Sequence, residues 1–345
     1  MKVAVVNNCV PFVKGGAEHL ADALTRKLVE FGHQAMLVRI PFRWDPPAKI
    51  VESMLACRLM RIPNVDRVIA LKFPVYYVSG ADKVLWLLHQ FRQAYDLWGT
   101  PFQGLPDTSD GHMIRETIIK TDNVHLSQVR KIYTNSEITS KRLKGFNGID
   151  STVLYPPLLE SAHFTCVDYG DYVFLPSRIT ESKRQHLVVE SMKYVTSETR
   201  LIIAGKEEAP EDLARIERII HNHRLSGRVM ILSRFISESE KADLFARALG
   251  CVYVPYDEDS YGYVTLESYH SRKPVITCDD SGGTSLVVKD GLTGYVVSAQ
   301  PKAIAEAIDR LASDKRQARK MGDAGYDLIQ SLNISWEHVI QSLTQ

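Results

Sequence analysis

The chain has 345 residues, 45% of them hydrophobic and 24% charged, with a formal net charge of +1. At roughly 100–200 residues per domain there is room for two domains with separate cores, and the apolar content excludes a mainly disordered chain. Near-neutral charge removes any global reason to expect nucleic acid. The charge is uneven, however: residues 1–157 hold 20 Lys plus Arg against 14 Asp plus Glu, and the remainder holds 22 against 27. A positive first half can face a membrane or a phosphorylated acceptor, or can be ordinary solvated surface.

The five cysteines, Cys9, Cys57, Cys166, Cys251 and Cys278, form no C-x-x-C pair, and their odd number fits a disulfide framework poorly. Reduced thiols acting as small hydrophobes predict a reducing cytoplasm. The opening run MKVAVVNN enters a strand directly, without the pattern of a signal peptide. No apolar run approaches the roughly 20 residues needed to cross a bilayer. The expected location is therefore cytoplasmic, at most at the inner face of a membrane.

In chain order, residues 2–6 predict a strand, and 17–31 an amphipathic helix with Leu20, Leu24, Leu28 and Phe31 at helical spacing, closed by Gly32. Further strands are predicted at 35–39, 67–71, 84–88 and 132–133, and residues 96–110, polar and rich in Gly and Pro, predict a loop. Between them, residues 48–61 place Ile50, Val51, Met54, Leu55 and Leu59 on one helical stripe, with Lys49, Arg58 and Arg61 nearby. Such a helix can lie on a membrane surface, but a core-facing helix is the commoner outcome. The paired prolines of Tyr155-Pro156-Pro157 predict a stiff connector. The rhythm then restarts, with strands predicted at 172–175, 201–204, 229–232, 251–254, 275–277 and 295–297.

Alternating strands and helices imply α/β architecture with parallel sheets, here two Rossmann-like domains around a central cleft. The expected division is 1–157 and 158–330. In open parallel sheets ligands bind beyond the carboxyl ends of the strands, so chemistry is expected in the loops there.

The loop after the strand at 251–254 carries Asp259 and Glu267, eight residues apart, with Gly262 between them at a predicted helix start. A first helical turn leaves N–H groups free, here near Tyr263, Val264 and Thr265, and these suit phosphate. The two carboxylates can each accept bonds from sugar hydroxyls. Taken alone, the pattern fits a solvated acidic loop and a helix-surface glutamate as well.

The segment resembles the signature of glycosyltransferase family 4, retaining enzymes of the GT-B fold. In that family two Glu frame a Gly-Phe-Gly-like turn, followed by Lys-Pro-Val-Ile and a Gly-Gly loop. Here the order is Asp259-Ser-Tyr-Gly-Tyr-Val-Thr-Leu-Glu267, Lys273-Pro-Val-Ile, Asp280-Ser-Gly-Gly283 and Asp290-Gly-Leu-Thr-Gly294. The resemblance covers nearly the whole chain, most tightly 171–294, and it implies that 331–345 packs back onto the first domain. Two positions depart from it: the first Glu is Asp259, and Leu286 stands where an acidic residue is usual.

The resemblance implies that Glu267 holds the donor ribose, that Asp259 contacts the transferred sugar, and that Ser260, Tyr261, Gly262, Tyr263, Val264 and Thr265 offer backbone N–H groups to sugar and diphosphate. Arg178 and Lys183 match its diphosphate-binding pair, where two cations offset the charge of the leaving group. They are otherwise two surface cations at a helix start. Gly15 and Gly16 in Lys14-Gly-Gly-Ala-Glu18 match a Gly-rich loop facing the donor phosphates, and His89 matches a donor-sugar contact. The same residues read locally as a helix-entry turn and a strand-end histidine. Residues 90–95 are expected on the acceptor side, and Arg234 and Phe235 near the nucleobase. Thr134-Asn135-Ser136 reads mainly as a helix N-cap.

The D-x-D pattern of Asp257-Glu258-Asp259 belongs to a different, single-domain fold, and His221-x-His223 lacks further ligands at zinc spacing. No required metal or cofactor is expected. The implied reaction moves a glycosyl unit from a UDP- or GDP-sugar to a hydroxyl on a glycan, lipid-linked or small-molecule acceptor, with retention, in bacterial glycan or glycolipid assembly. Alternatives are a nucleotide-sugar epimerase of the same fold and a non-catalytic nucleotide-sugar-binding protein. An NAD-type oxidoreductase lacks its glycine fingerprint.

Overall fold

Short aliphatic runs bounded by polar loops give each half of the chain its own all-parallel sheet, and both faces of each sheet are covered by helices. The structure, a computed structural model, describes residues 1–12 and 15–345, with the backbone alone at Ala81. The chain divides into two compact units, Met1–Pro157 with Ile334–Gln345, and Leu158–Asn333.

The first unit contains β1 (Lys2–Cys9), α1 (Gly16–Glu30), β2 (Gln34–Pro41), α2 (Ala48–Leu59), β3 (Arg61–Ala70), β4 (Ser79–Leu87), α3 (Ser109–Leu126), β5 (Lys131–Thr134), α4 (Glu137–Asn147) and β6 (Thr152–Val153). Its strand order is β2-β1-β3-β4-β5-β6. Alternation along β1 divides the core: Ala4 and Val6 join one cluster with Ile50, Met54, Tyr76 and Tyr77, while Val3 and Val5 join another with Leu20, Leu24 and Leu28.

The second unit contains β7 (Tyr172–Pro176), α5 (Gln185–Ser191), β8 (Arg200–Ala204), α6 (Pro210–Asn222), β9 (Val229–Leu232), α7 (Glu238–Arg247), β10 (Gly250–Val252), α8 (Tyr263–His270), β11 (Val275–Cys278), α9 (Gly283–Val287), β12 (Gly294–Val297), α10 (Pro301–Ser313) and α11 (Lys315–Ser331). Its order is β12-β11-β10-β7-β8-β9. A last helix, α12 (Trp336–Thr344), belongs to the first unit, where Trp336, Val339, Ile340 and Leu343 complete the cluster under α1. Because α11 runs on to Ser331, the return to the first unit comes at Ile334 rather than at residue 331.

Each sheet reverses its direction of growth once. In the first unit the reversal lies between β1 and β3, in the second between β7 and β10. In open parallel sheets such reversals, at the carboxyl ends of the strands, are where ligands bind.

Two further expectations change. The stripe on α2 splits: Ile50, Met54 and Cys57 are buried, whereas Val51, Leu55 and Leu59 are 37%, 58% and 77% exposed. Helical geometry sets the two apolar rows side by side, and only one can face the core. The strand predicted at 251–254 ends in the sheet at Val252, although Tyr253 and Val254 stay buried as the chain leaves it. All five cysteines are free, and among the described residues no helix is long and apolar enough to cross a membrane.

Candidate functional site

In the second unit the loops after β7 and β10 are held together by two basic residues that are neighbours in sequence. Lys183 ion-pairs with Glu258, and its ammonium also donates to the Tyr253 hydroxyl at 3.0 Å. Burial alone would lower its pKa, but the Glu258 charge and the Tyr253 hydroxyl raise it well above the usual lysine range. Arg184, with a left-handed backbone (φ 55°), sends Nε to the Val254 carbonyl at 2.7 Å and Nη2 to the Pro255 carbonyl at 2.9 Å. Its Nη1 and Nη2 also make a two-pronged contact with Asp280 at 2.7 and 2.6 Å. One planar fork thereby ties the ends of three strands, β7, β10 and β11.

The glycines make this close approach possible. A Cβ on Gly283 would sit 2.6 Å from the Ser260 carbonyl carbon, and one on Gly282 2.3 Å from the Glu258 carbonyl oxygen. The Gly-Gly loop thus packs backbone to backbone against the acidic loop, and Gly283 N donates to the Glu258 carbonyl at 2.7 Å.

Gly262 starts α8 at φ 71°, a conformation that L side chains rarely adopt. The two donors on either side of the turn are engaged: Gly262 N–H donates to Ser260 Oγ at 3.1 Å, and Thr265 N–H to the Gly262 carbonyl at 3.0 Å. Thr265 therefore does not offer the free N–H expected of it, because the first turn closes on itself. The N–H groups of Tyr263 and Val264 have no acceptor within the helix.

Two turns into the loop-and-helix segment, Glu267 is 4% exposed. Its Oε1 accepts from Lys241 Nζ at 2.6 Å, and its Oε2 is buried with no hydrogen-bond partner among the described residues. Burial pushes the Glu267 carboxyl up, and Lys241 pulls it back down. Lys241, on α7, is also within 2.9 Å of Glu238. A buried carboxylate oxygen without a donor costs free energy and marks a place where a hydroxyl can bind.

Of the other residues expected in this unit, those from Asp259 to Val264 share that loop and turn, whereas Arg178, Arg234 and Phe235 are exposed. Asp259, Ser260, Tyr263 and Val264 are half-buried, and Tyr261 is buried. Arg178 is exposed, with Glu208 3.5 Å away. Arg234 pairs with Glu240 on the surface, and Phe235 is 77% exposed. Among the described residues no group of three or more His, Cys, Asp or Glu has metal-binding geometry.

In the first unit Gly15 caps α1, and its N–H donates to Glu18 Oε2 at 2.9 Å. Gly16 is the first helical residue, and Lys14 lies outside the described residues. Glu18 also pairs with Lys72, in the loop after β3, at 3.0 Å. Burial raises the Glu18 carboxyl, but Lys72 and the Gly15 N–H outweigh it and hold it below the usual range. His89, two residues past β4, is half-buried, and its Nδ1 lies 2.6 Å from the Gln90 carbonyl. The Ser136 hydroxyl accepts from Thr139 N–H at 3.2 Å, which makes it the N-cap of α4. Asn7, near the end of β1, is fully buried, and neither its Oδ1 nor its Nδ2 has a partner among the described residues.

Four residues that sequence reasoning passed over shape this arrangement: Arg184, Lys241, Tyr253 and Glu258. Arg184 and Glu258 adjoin motif residues and carried a signal of proximity. Lys241 is 26 residues before Glu267 on another helix, and no local spacing links the two.

Residues 168–328 match the family model described as Glycosyl transferases group 1. The chain is 26% identical over 208 residues to alpha-maltose-1-phosphate synthase of Mycolicibacterium smegmatis, covering 56% of this chain and 53% of that protein. It is 31% identical over 121 residues to the alpha-1,3/1,6-mannosyltransferase ALG2 of Dictyostelium discoideum, covering 35% of this chain and 28% of that protein. The chain thus spans about half the length of the first of these curated relatives and less of the second. Among solved structures, the sucrose-phosphate synthase of Thermosynechococcus elongatus aligns over 100% of this chain and 97% of its own at a TM-score of 0.78 and 18% identity. Anabaena HepE in complex with UDP and glucose aligns over 100% and 98% at a TM-score of 0.72 and 14% identity. The fold these structures share with the chain is GT-B.

Proposed function

We propose, from the match of residues 168–328 to the family model described as Glycosyl transferases group 1, that the chain is a retaining glycosyltransferase that moves a sugar from a nucleotide diphosphate sugar to a hydroxyl acceptor. The observation that carries the reading is Glu267: a carboxylate buried in the middle of α8, with one oxygen held by Lys241 and the other without a partner among the described residues. A ribose diol is a pair of neighbouring hydroxyl donors that suits such an oxygen. HepE, solved with UDP and glucose, supports a nucleotide-sugar donor, here a UDP- or GDP-sugar.

In this reading Glu267 holds the ribose and Asp259 meets the transferred sugar. The backbone from Ser260 to Val264, with Arg178 and Lys183, receives the diphosphate, Lys183 exchanging Glu258 for phosphate oxygens. Arg234 and Phe235 lie toward the base. The bond from the anomeric carbon to the diphosphate oxygen breaks, and the acceptor oxygen bonds to that carbon on the same face. The departing phosphate oxygen takes the acceptor's proton, so no protein nucleophile is required. Catalysis rests on positioning and on stabilising the leaving charge.

The acceptor is a hydroxyl-bearing glycan, lipid-linked or small molecule, in bacterial glycan or glycolipid assembly. Exposed Val51, Leu55 and Leu59 on α2, beside Lys49, Arg58 and Arg61, support a peripheral contact with an anionic membrane. Vesicles containing anionic lipid are expected to retain the wild type and to lose the double variant Leu55→Glu, Leu59→Glu.

The test of the reaction is a panel of UDP- and GDP-sugars with candidate acceptors, read by release of the nucleotide diphosphate and by proton NMR of the product. An axial or equatorial anomer matching the donor is expected. An inverted anomer sinks the retaining assignment, and tight donor binding with no turnover on any acceptor favours a binding protein instead.

A further inference from the structure

Glu267 is not positioned by its own helix. Its backbone sits in α8, but the contact that fixes its carboxylate comes from α7, where Lys241 Nζ lies 2.6 Å from Oε1. Lys241 is itself confined. Its side chain is 16% exposed, its ammonium lies 5.9 Å from the centre of the Phe164 ring, and Glu238 Oε1 is 2.9 Å away. Glu238 is 61% exposed and Glu267 only 6% at the side chain, so the lysine bridges a wet carboxylate and a dry one.

A carboxylate in that place has two competing states. Burial favours the neutral acid, which has one O–H to donate and a weaker acceptor oxygen. A neighbouring cation favours the anion, and it also decides which oxygen remains open. The titratable groups that face Glu267 are Lys241 and Glu238 from α7, Cys251 from β10 and Tyr263 from α8 itself. Lys241 is the sole cation in that set.

We infer that Lys241 is a positioning residue for donor recognition: by taking Oε1 of Glu267 it keeps the group an anion and aims Oε2 at the ribose hydroxyls. The inference rests on the ribose role proposed above for Glu267. It adds that the ability to tell a ribonucleotide from a deoxy one resides in a residue that touches no part of the donor.

The test uses the full chain and calorimetric titration with UDP and GDP and their 2′,3′-dideoxy counterparts, across pH 5.5–8.5. Wild type is expected to bind the ribonucleotide of its preferred base on the order of 30-fold tighter than the dideoxy form, as hydrogen bonds to a charged acceptor require. In Lys241→Met that preference is expected to fall to about threefold or less, with affinity for the dideoxy nucleotide unchanged. The acid limb of ribonucleotide binding is expected to move to higher pH, since the cation that holds the carboxylate ionised is gone. The phosphates titrate alike in both nucleotides and cancel in the ratio. A merely structural lysine would weaken both nucleotides equally and leave the ratio intact, and that result overturns the inference while leaving the ribose reading standing. If wild type itself shows no preference, the ribose reading falls and the inference with it. Glu238→Gln, at an exposed position, covers the case in which Lys241→Met does not fold. It removes a negative neighbour of Glu267, so the preference should persist with its acid limb at lower pH, and an unmoved limb again overturns the proposal.

Discussion

Among the described residues each unit buries one carboxylate, and the two are treated in opposite ways. In the first unit Asp122 is 0% exposed and both of its oxygens are satisfied: Oδ1 accepts from Tyr76 and Tyr77 at 2.8 and 2.5 Å, and Oδ2 from Tyr95 at 2.7 Å. In the second unit Glu267 is almost as deeply buried, yet Oε2 has no partner among the described residues. Burial alone therefore does not mark function. A buried carboxyl whose hydrogen-bonding capacity is filled by the fold serves the structure, whereas one left half-filled sacrifices stability for a ligand.

The largest expected effect tests the structural side of that contrast. Asp122→Ala strands three phenol hydroxyls in the core, at about 1–3 kcal/mol each. A loss of about 3–6 kcal/mol is expected, a large share of the roughly 5–15 kcal/mol that a folded protein commands. Denaturant unfolding followed by the signal of the first unit would show it. A variant that unfolds at the wild-type midpoint would mean the cage contributes little.

Glu267→Ala is the functional counterpart. Loss of the ribose hydrogen bonds to a charged acceptor implies a rise in nucleotide diphosphate Kd on the order of 30-fold. Stability should change by only about 1 kcal/mol, because the burial penalty of the carboxylate disappears with it and Lys241 retains Glu238. If instead the variant melted early and bound nucleotide normally, Glu267 would be a second Asp122 and the contrast would collapse.

The pH dependence of folding separates them further. Burial pushes the Asp122 carboxyl from its ordinary 3.8 up to about 6, against the pull of its tyrosine partners. The folded state then holds a proton that the unfolded chain has already released. Its share of stability is fully present below about pH 4 and is lost as pH rises through about 6, amounting to about 2–3 kcal/mol. Asp122→Asn does not titrate, so its stability relative to wild type should climb across that window and level off above it. A flat difference between the two would place the carboxyl near its ordinary pKa.

Much of this was legible beforehand, but unevenly. The strand rhythm was readable because a parallel strand buried on both faces is a short aliphatic run, as at 201–204, the four buried residues of β8. The order Asp259, Gly262, Glu267 was readable because a tight turn and its helix are local in sequence. The Lys241 contact was not, since it depends on how α7 packs on α8. The tyrosine cage was equally hidden: Tyr76, Tyr77 and Tyr95 reach Asp122 across 27–46 residues of chain. On α2 the periodicity was right and the burial wrong, because spacing shows which residues share a face but not how much of that face the core can take.

The smallest expected effect asks how finely the loops of the second unit are set. Gly262 has φ 71°, and a Cβ there would sit 2.5 Å from Cε1 of Tyr253. Gly262→Ala therefore strains the backbone and displaces the tyrosine ring, for about 1–2 kcal/mol. The displacement does not stop at the ring, because the Tyr253 hydroxyl receives the Lys183 ammonium at 3.0 Å and lies 3.2 Å from Glu258 Oε2. A shift there moves the cation proposed for the diphosphate, while Glu267 and Lys241 stay in place. Nucleotide diphosphate affinity should then fall about 3–10-fold, with the preference for ribose over dideoxyribose unchanged. Loss of both together would mean that the turn carries Glu267 with it, and that the phosphate and ribose contacts of this unit form one rigid piece rather than two.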